Sequence, residues 1–339
     1  MIFLNNCIHD SAKSVFRKQG MKKQYGMALV MVLWIISLLT IMAGSYALTI
    51  RREISVVSAL KNNAELLALA EAGLNVAAVM LFYQEKDKQW RGDSSIYSFN
   101  FQGAEIRLRI FSESGKVDIN QANEQLLLDV LKNTSASESQ QQALVSAILD
   151  WRDTDDLVRI NGAEASQYSE AGLAYQPANT KFQAVEELQL VLGMDEEIYQ
   201  QLEPLVTTYS RQATVNLALA SREVIMAIST VDTSLLEEFL QQRQENSRLQ
   251  IAAPDFPLQG GGAAVNNSGF FTVLVEARVA DNTKAGLRAT ISKAQGANKP
   301  TEFKQKLFTV SDWKIMLDEK ESLFTESVDQ ILFDIDAET

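Results

Sequence analysis

From Met27 to Ile50 the chain carries no charged side chain. As a helix rising about 1.5 Å per residue, that run is long enough to cross the hydrocarbon core of a bilayer. The apolar positions continue beyond it. Ile54, Val57, Leu60, Ala64, Leu67, Ala70, Leu74, Ala77 and Leu81 follow at spacings of three and four, the stripe of an amphipathic helix. The pattern predicts one helix from Met27 to about Tyr83, roughly 85 Å long, with its first half in lipid and its second half packed on a folded domain. The period then changes to two. Tyr97, Phe99 and Phe101 alternate before Gly103, and Ile106, Leu108 and Ile110 after it, which predicts a β-hairpin. Helical periodicity takes over from Asn120 to about Arg243. The two-residue period returns with Phe271, Val273, Val275, Ala277 and Val279, then Leu287, Ala289 and Ile291, and "KLFTVSDWKIML" is a last candidate strand.

Two strands alone make a marginal sheet, so both β blocks are expected in one sheet. The fold class is therefore α+β: a long N-terminal membrane and amphipathic helix on an antiparallel sheet, with a large all-helical domain inserted between strands. The expected organisation is a leader over 1–26, the helix over 27–84 and the first part of the sheet over 85–117. The inserted helical domain follows over 118–245, then a linker over 246–268. The second part of the sheet and a C-terminal tail fill 269–339. The Gly260–Gly262 tract belongs to the linker; no Lys-Ser/Thr or helix start follows it, so it does not read as a phosphate loop.

The residues before the apolar run decide how it is used. Lys13, Arg17, Lys18, Lys22 and Lys23 precede it and only Arg51 and Arg52 follow, which orients the N-terminus to the cytoplasm. A cleaved secretory signal would be shorter and end at a small-residue site. A plain membrane anchor accounts for the apolarity alone. The third reading is a type IV prepilin-like leader, cut on the cytoplasmic side by a prepilin peptidase after a glycine. Gly26 stands at that junction and Met27 opens the unbroken apolar run. On this reading Met27 becomes the N-methylated first residue of a pilin-like protein. Met21 offers a second start for the leader.

Composition narrows the chemistry. The only cysteine is Cys7 and the only histidine is His9, both in the leader. A mature chain starting at Met27 has no disulfide, no Ser–His or cysteine nucleophile system and no thiolate or imidazole zinc site. No enzyme constellation is legible. The net charge is −12, and Asp118 to Glu238 holds 20 acidic against 6 basic side chains. That balance argues against nucleic acid as a partner.

"AILDWRDTDDLVRINGAEASQY" (Ala147–Tyr168) carries the densest chemistry. Leu144, Ile148 and Trp151 mark a helix face ending near Asp153, so Asp150, Asp153, Asp155 and Asp156 crowd its C-terminal end, the wrong sign for the helix dipole. Gly162 permits a tight bend that brings Glu164 back toward them. Two readings stand: a solvated acidic loop, or a site for a hard cation such as Ca²⁺ held by oxygens. The spacing is not that of an EF-hand, and no aromatic cleft supports a glycosidase pair. "VDINQANEQLL" and "ATVNLALASREVI" echo one another and read as helix N-termini with Asn caps. "VEELQLVLGMDEEIYQQLEPLV" has a helix-hairpin-helix look.

These stretches carry a resemblance. The leader junction "KKQYG|MALVMVL", "SGKVDINQAN", the acidic stretch above, "YQPANTKFQAVEELQLVLGM" and "VNLALASREVIMAI", in that order across Lys22–Ile228, resemble the K-type minor pseudopilins of type II secretion systems. The late β region matches in pattern only. The resemblance implies a pseudopilin sheet with an inserted helical domain, bound Ca²⁺, and Asp153, Asp155, Asp156 and Glu164 as its carboxylate ligands. It also implies that the fifth mature position, Met31, lacks the Glu of most pilin-like subunits, as in K-type members. The implied role is a non-enzymatic subunit at the tip of a periplasmic pseudopilus on a single-pass inner-membrane anchor. Its implied partners are other minor pseudopilins, met through the helix face of Leu67, Leu74 and Leu81 and the sheet beside it, together with exported proteins and the outer-membrane secretion channel. The competing reading is a membrane-anchored helix-hairpin-helix DNA receptor of an uptake system.

Overall fold

The computed structural model describes residues 25–83, 85, 88–249, 251–257, 268–294, 307–316, 322–325 and 331–334. The leader before Tyr25, the Gly260–Gly262 linker and the extreme C-terminus lie outside the described residues. Two units divide at Lys61/Asn62. The described part of the first is helix throughout, belonging to α1 (Tyr25–Leu81). Among the described residues α1 alone is long and apolar enough to cross a membrane.

The second unit is built on a six-stranded sheet in the order β7-β6-β5-β2-β1-β8. Its strands are β1 (Asp93–Phe101), β2 (Ala104–Ser112), β5 (Phe270–Arg278), β6 (Lys284–Lys293), β7 (Phe308–Met316) and β8 (Ile331–Asp334). The β1–β2 hairpin turns at Gln102–Gly103, and β2 pairs next with β5, which follows it by more than 150 residues. Both β blocks therefore share one sheet. The sheet is antiparallel except at one edge, where β8 lies parallel to β1. Four residues of "ILFD" are too short a run for alternation to reveal, so this strand was hidden in the expected tail.

Register explains the layering. Ile106, Leu108 and Ile110 on β2 face the same way as Val273, Val275 and Ala277 on β5 and Leu287, Ala289 and Ile291 on β6; all nine are fully buried. They meet Leu66, Ala70, Leu74, Ala77, Ala78 and Leu81 of α1. Each fully buried Ile or Leu contributes roughly 1.5–3 kcal/mol, so this face holds the stretch of α1 from Leu66 to Leu81. A Cβ on Gly73 would lie 2.7 Å from Val275 Cγ1 and 2.9 Å from Ile106 Cγ2. Only glycine allows that approach.

Two expectations about the helix are corrected here. The stripe buries from Leu66 onward, while Ile54, Val57 and Leu60 are more than 60% exposed and Ala64 is exposed too. Periodicity marks a face but not what meets it. Leu74 and Leu81 are spent on the chain's own sheet, so they are not open to partner subunits; Leu67 is half-buried.

Between β2 and β5 comes the helical insert: α2 (Glu124–Leu131), α3 (Glu138–Arg152), α4 (Ala165–Glu170), α5 (Glu196–Leu202), α6 (Arg222–Ile228) and α7 (Thr233–Arg248). It has its own apolar core, from Val117 to Phe256. A two-residue parallel ladder, β3 (Val117–Asp118) with β4 (Val206–Thr207), ties its entry to its middle. The insert meets the second face of the sheet at β6 and β7, while residues 322–325 lie on the same face over Arg107, Glu276 and Arg278. Arg288 of β6 pairs with Glu203 at 2.8 Å, and Lys314 of β7 pairs with Glu186.

Two local expectations also change. Asn123 caps α2, accepting from Leu126 N at 2.8 Å, but α6 is capped by Ser221 and Asn216 instead closes a turn with Ala218 N. Val185–Leu190, the first half of the supposed helix-hairpin-helix, is a 3₁₀ segment. Its i→i+3 winding does not make the paired α-helices that reading needs.

Candidate functional site: the acidic loop

The loop grows from the end of α3. Ser137 and Gln140 form a capping box at its start, which satisfies orphan donors there. At its other end Trp151 stacks on Phe182 at 5.8 Å and lies 6.1 Å from Tyr168. Phe182 is held by Asn120, whose Nδ2 donates to Phe182 O at 2.9 Å while Phe182 N donates to Asn120 Oδ1 at 2.8 Å. Tyr168, fully buried on α4, accepts from Leu192 N at 2.9 Å. The aromatic set thus fixes both ends of the loop. The residues of "VDINQAN" and "KFQAVEEL" build this frame rather than carry chemistry.

Asp150 organises the loop. Its carboxylate is fully buried and accepts from Ala163 N at 2.9 Å, Arg159 N at 3.3 Å and Arg159 Nη1 at 2.6 Å. Asn161 supplies the left-handed residue of the bend, with φ 64°. Gly162 is needed for a different reason from the bend expected of it: a Cβ there would sit 2.0 Å from Asp150 Oδ2. Glycine is the side chain that leaves room for the carboxylate.

The four sequence-predicted acids behave differently. Asp153 is the C-cap of α3 and pairs with Arg159. The oxygens of exposed Asp155 and Asp156 accept from Leu157 N at 3.0 Å and from Asn179 Nδ2 at 2.9 Å. Glu164 is only 4% exposed and neither carboxylate oxygen has a hydrogen-bond donor. Burial first, then the neighbouring Asp150, Asp153, Asp156 and Asp155, pushes its carboxyl up to about 7. Asp153 Oδ1 and Asn179 Oδ1 are likewise buried without a donor.

Unpartnered buried acceptors are costly, and these are all hard oxygens, the donor class that Ca²⁺ takes. In chemistry the residues fit such a cation. In geometry they do not form a finished cage: among the described residues no group of three His, Cys, Asp or Glu side chains is placed to hold a metal. Arg159 supplies positive charge to Asp150 and Asp153 instead. Asp150 was expected in the acidic crowd but not among its ligands, and Arg159 and Asn179 were not expected at the site. An arginine three places past an acidic run looks like a solvated charge until the fold lays it on two of the acids.

Other chemistry is sparse. A cleft of about 810 Å³ between the sheet and the insert is lined by Arg109, Glu113, Glu203, Arg288 and Lys314 among others. Arg288 and Lys314 are bonded to acids of the insert across it. Met31 is exposed on α1, and Gly26 and Met27 fall in its first turn.

Comparison with known proteins agrees with this architecture. Residues 99–211 match the family model "Type II secretion system (T2SS), protein K". The type II secretion system protein K of Klebsiella pneumoniae is 25% identical over 258 residues, which cover 68% of this chain and 78% of that protein. The protein K of Pseudomonas aeruginosa is 30% identical over 151 residues, 42% of this chain and 45% of that one. A chain in the crystal structure of the GspK-GspI-GspJ complex from enterotoxigenic Escherichia coli shares the fold, with a TM-score of 0.54 at 16% identity over 77% of this chain and 99% of that one. The DNA-receptor reading finds no support here; its key segment lies inside the secretion-family match. Sequence motifs, family model and relatives point the same way, and over these stretches the chain is similar to protein K, the K-type minor pseudopilins of type II secretion systems.

Proposed function

We propose that the chain is the terminal subunit of a periplasmic pseudopilus and supports protein export across the outer membrane as a structural part, without catalysis. The observation that carries this is Met31. In pilin-like leaders the fifth mature residue is ordinarily a Glu that meets the N-terminal amine of another subunit within lipid. Here, counted from a cut after Gly26, that place is apolar. A subunit without this carboxylate has nothing in the membrane to offer a subunit above it. The insert, larger than the sheet that carries it, obstructs stacking on the same side. The basic leader places the N-terminus in the cytoplasm and the folded unit in the periplasm, on a single inner-membrane span. Other minor pseudopilins are the partners, by analogy with the complex of the structural neighbour. Exported proteins and the secretion channel are those reached from the tip.

The test is Met31→Glu. An unpaired Glu in hydrocarbon costs a few kcal/mol on insertion scales, so the variant is expected at a lower membrane level with secretion unchanged or reduced. Secretion raised above wild type would mean that an amine waits above this subunit, and the terminal position would be lost.

The acidic loop is read as a Ca²⁺ site held by Asp153, Asp155, Asp156 and Glu164, supported by the unpartnered buried oxygens of Glu164 and Asp153. A ligand at a hundredfold excess over its Kd stabilises the folded state by about 2.7 kcal/mol. Added Ca²⁺ should therefore raise the melting temperature of the chelator-treated protein by several degrees. Asp155→Ala with Glu164→Ala should abolish the rise. Identical wild-type curves with chelator and with Ca²⁺ would leave the loop as a solvated one.

A further inference from the structure

The loop between α3 and α4 leaves its aliphatic side chains in the open beside its charged ones. Leu157, Val158 and Ile160 are 76%, 50% and 89% exposed, while Arg159 among them turns its guanidinium back onto Asp150 and Asp153. Arg159 itself stays 41% exposed, so the loop presents three aliphatic side chains and an ion-paired arginine together. The frame beneath is anchored: Ser146 Oγ donates to Ile160 O at 3.0 Å, Gly162 N to Arg159 O at 2.8 Å and Leu157 N to Asp155 Oδ1 at 3.0 Å. Three neighbouring aliphatic side chains held outward on a fixed backbone mark a contact surface.

The charge around them selects the partner. Residues 118–238, which hold the loop, carry 20 acidic against 6 basic side chains, a balance that a single Ca²⁺ at the loop leaves strongly negative. An anionic lipid surface or a nucleic acid is repelled by such a field, and a basic rim is attracted. We propose that Leu157, Val158 and Ile160 form a docking finger for a protein partner offering an apolar groove rimmed by lysine or arginine. The aliphatic side chains supply the contact area and the acidic surround sets orientation and encounter rate. The inference uses the loop and the charge of the insert alone, so it stands or falls apart from the terminal position.

The experiment uses the full chain in phosphatidylcholine nanodiscs and two amphipathic helical peptides sharing one leucine face, with lysine on the polar face of one and glutamate on that of the other. Empty nanodiscs give the baseline. The lysine peptide is expected to bind at least tenfold more tightly than the glutamate peptide. Leu157→Ser with Ile160→Ser should remove at least tenfold of that affinity at an unchanged melting temperature, since both side chains are exposed. Equal binding of the lysine peptide by wild type and variant would overturn the proposal, because attraction would then come from net charge alone. Co-sedimentation with phosphatidylglycerol vesicles that is lost in the variant would overturn it in favour of a lipid surface.

Discussion

Asp150→Ala should be the most destabilising substitution in the acidic loop, costing roughly 3 kcal/mol. Three donors converge on this one buried carboxylate: the backbone N–H groups of Arg159 and Ala163 and the Arg159 guanidinium. Removing it strands Ala163 N–H inside the protein, and an unsatisfied buried donor costs about 1–3 kcal/mol. Loss of the charge-assisted bond to Arg159 adds to this. That addition is discounted because the arginine side chain is 41% exposed and partly screened. For a unit of this size about 3 kcal/mol corresponds to a fall of about 6–12 °C in the melting temperature. Asp155→Ala, in the same acidic run but exposed, should move stability by no more than about 0.5 kcal/mol in Ca²⁺-free buffer. Thermal melts of both variants in chelator check the contrast. Equal shifts would mean that the loop is not held from Asp150.

Gly26→Val should leave the leader attached to nearly all of the protein. A prepilin-type peptidase must close on the backbone at the junction, and a glycine presents no Cβ and the widest choice of backbone conformation. Valine adds a branched side chain next to the scissile bond and stiffens the chain there. The wild-type protein should begin at Met27 with a methylated amine, lacking Cys7 and His9. Intact-mass measurement of protein from membranes separates the outcomes. A wild-type mass that retains the leader, or that begins at a later residue, contradicts the prepilin reading.

The periodicities carried much of the fold because burial follows them. Period three to four placed Leu74, Ala77 and Leu81 on the sheet, and period two placed Ile106, Leu108 and Ile110 beneath them. Period could not show that the stripe at Ile54–Leu60 stays exposed, nor that β8 is a strand. The first depends on what the fold offers opposite the helix, and the second rests on four residues at an edge. The acidic loop was legible as a crowd of like charge at a helix end. Its internal order was not, because Asp150 differs from Asp153 and Asp155 only in being covered, and covering is a long-range property. Asn120 and Phe182 are 62 positions apart, yet they hold one another through two hydrogen bonds. No local pattern announces such a pair.

The terminal position in the pseudopilus is tested most directly by disulfide cross-linking in secreting cells. Once the leader is removed the mature chain has no cysteine of its own, so single cysteines report one position each. Cysteine at Leu39 or Val56, both 58% exposed on α1, should link to other minor pseudopilins carrying cysteines along their own helices. Cysteine at Met226, 54% exposed on the insert, should link to no pseudopilin. A Met226 cysteine joined to a pseudopilin stacked on the insert, or long filaments linked from this subunit alone, would place the chain within the filament and contradict the account.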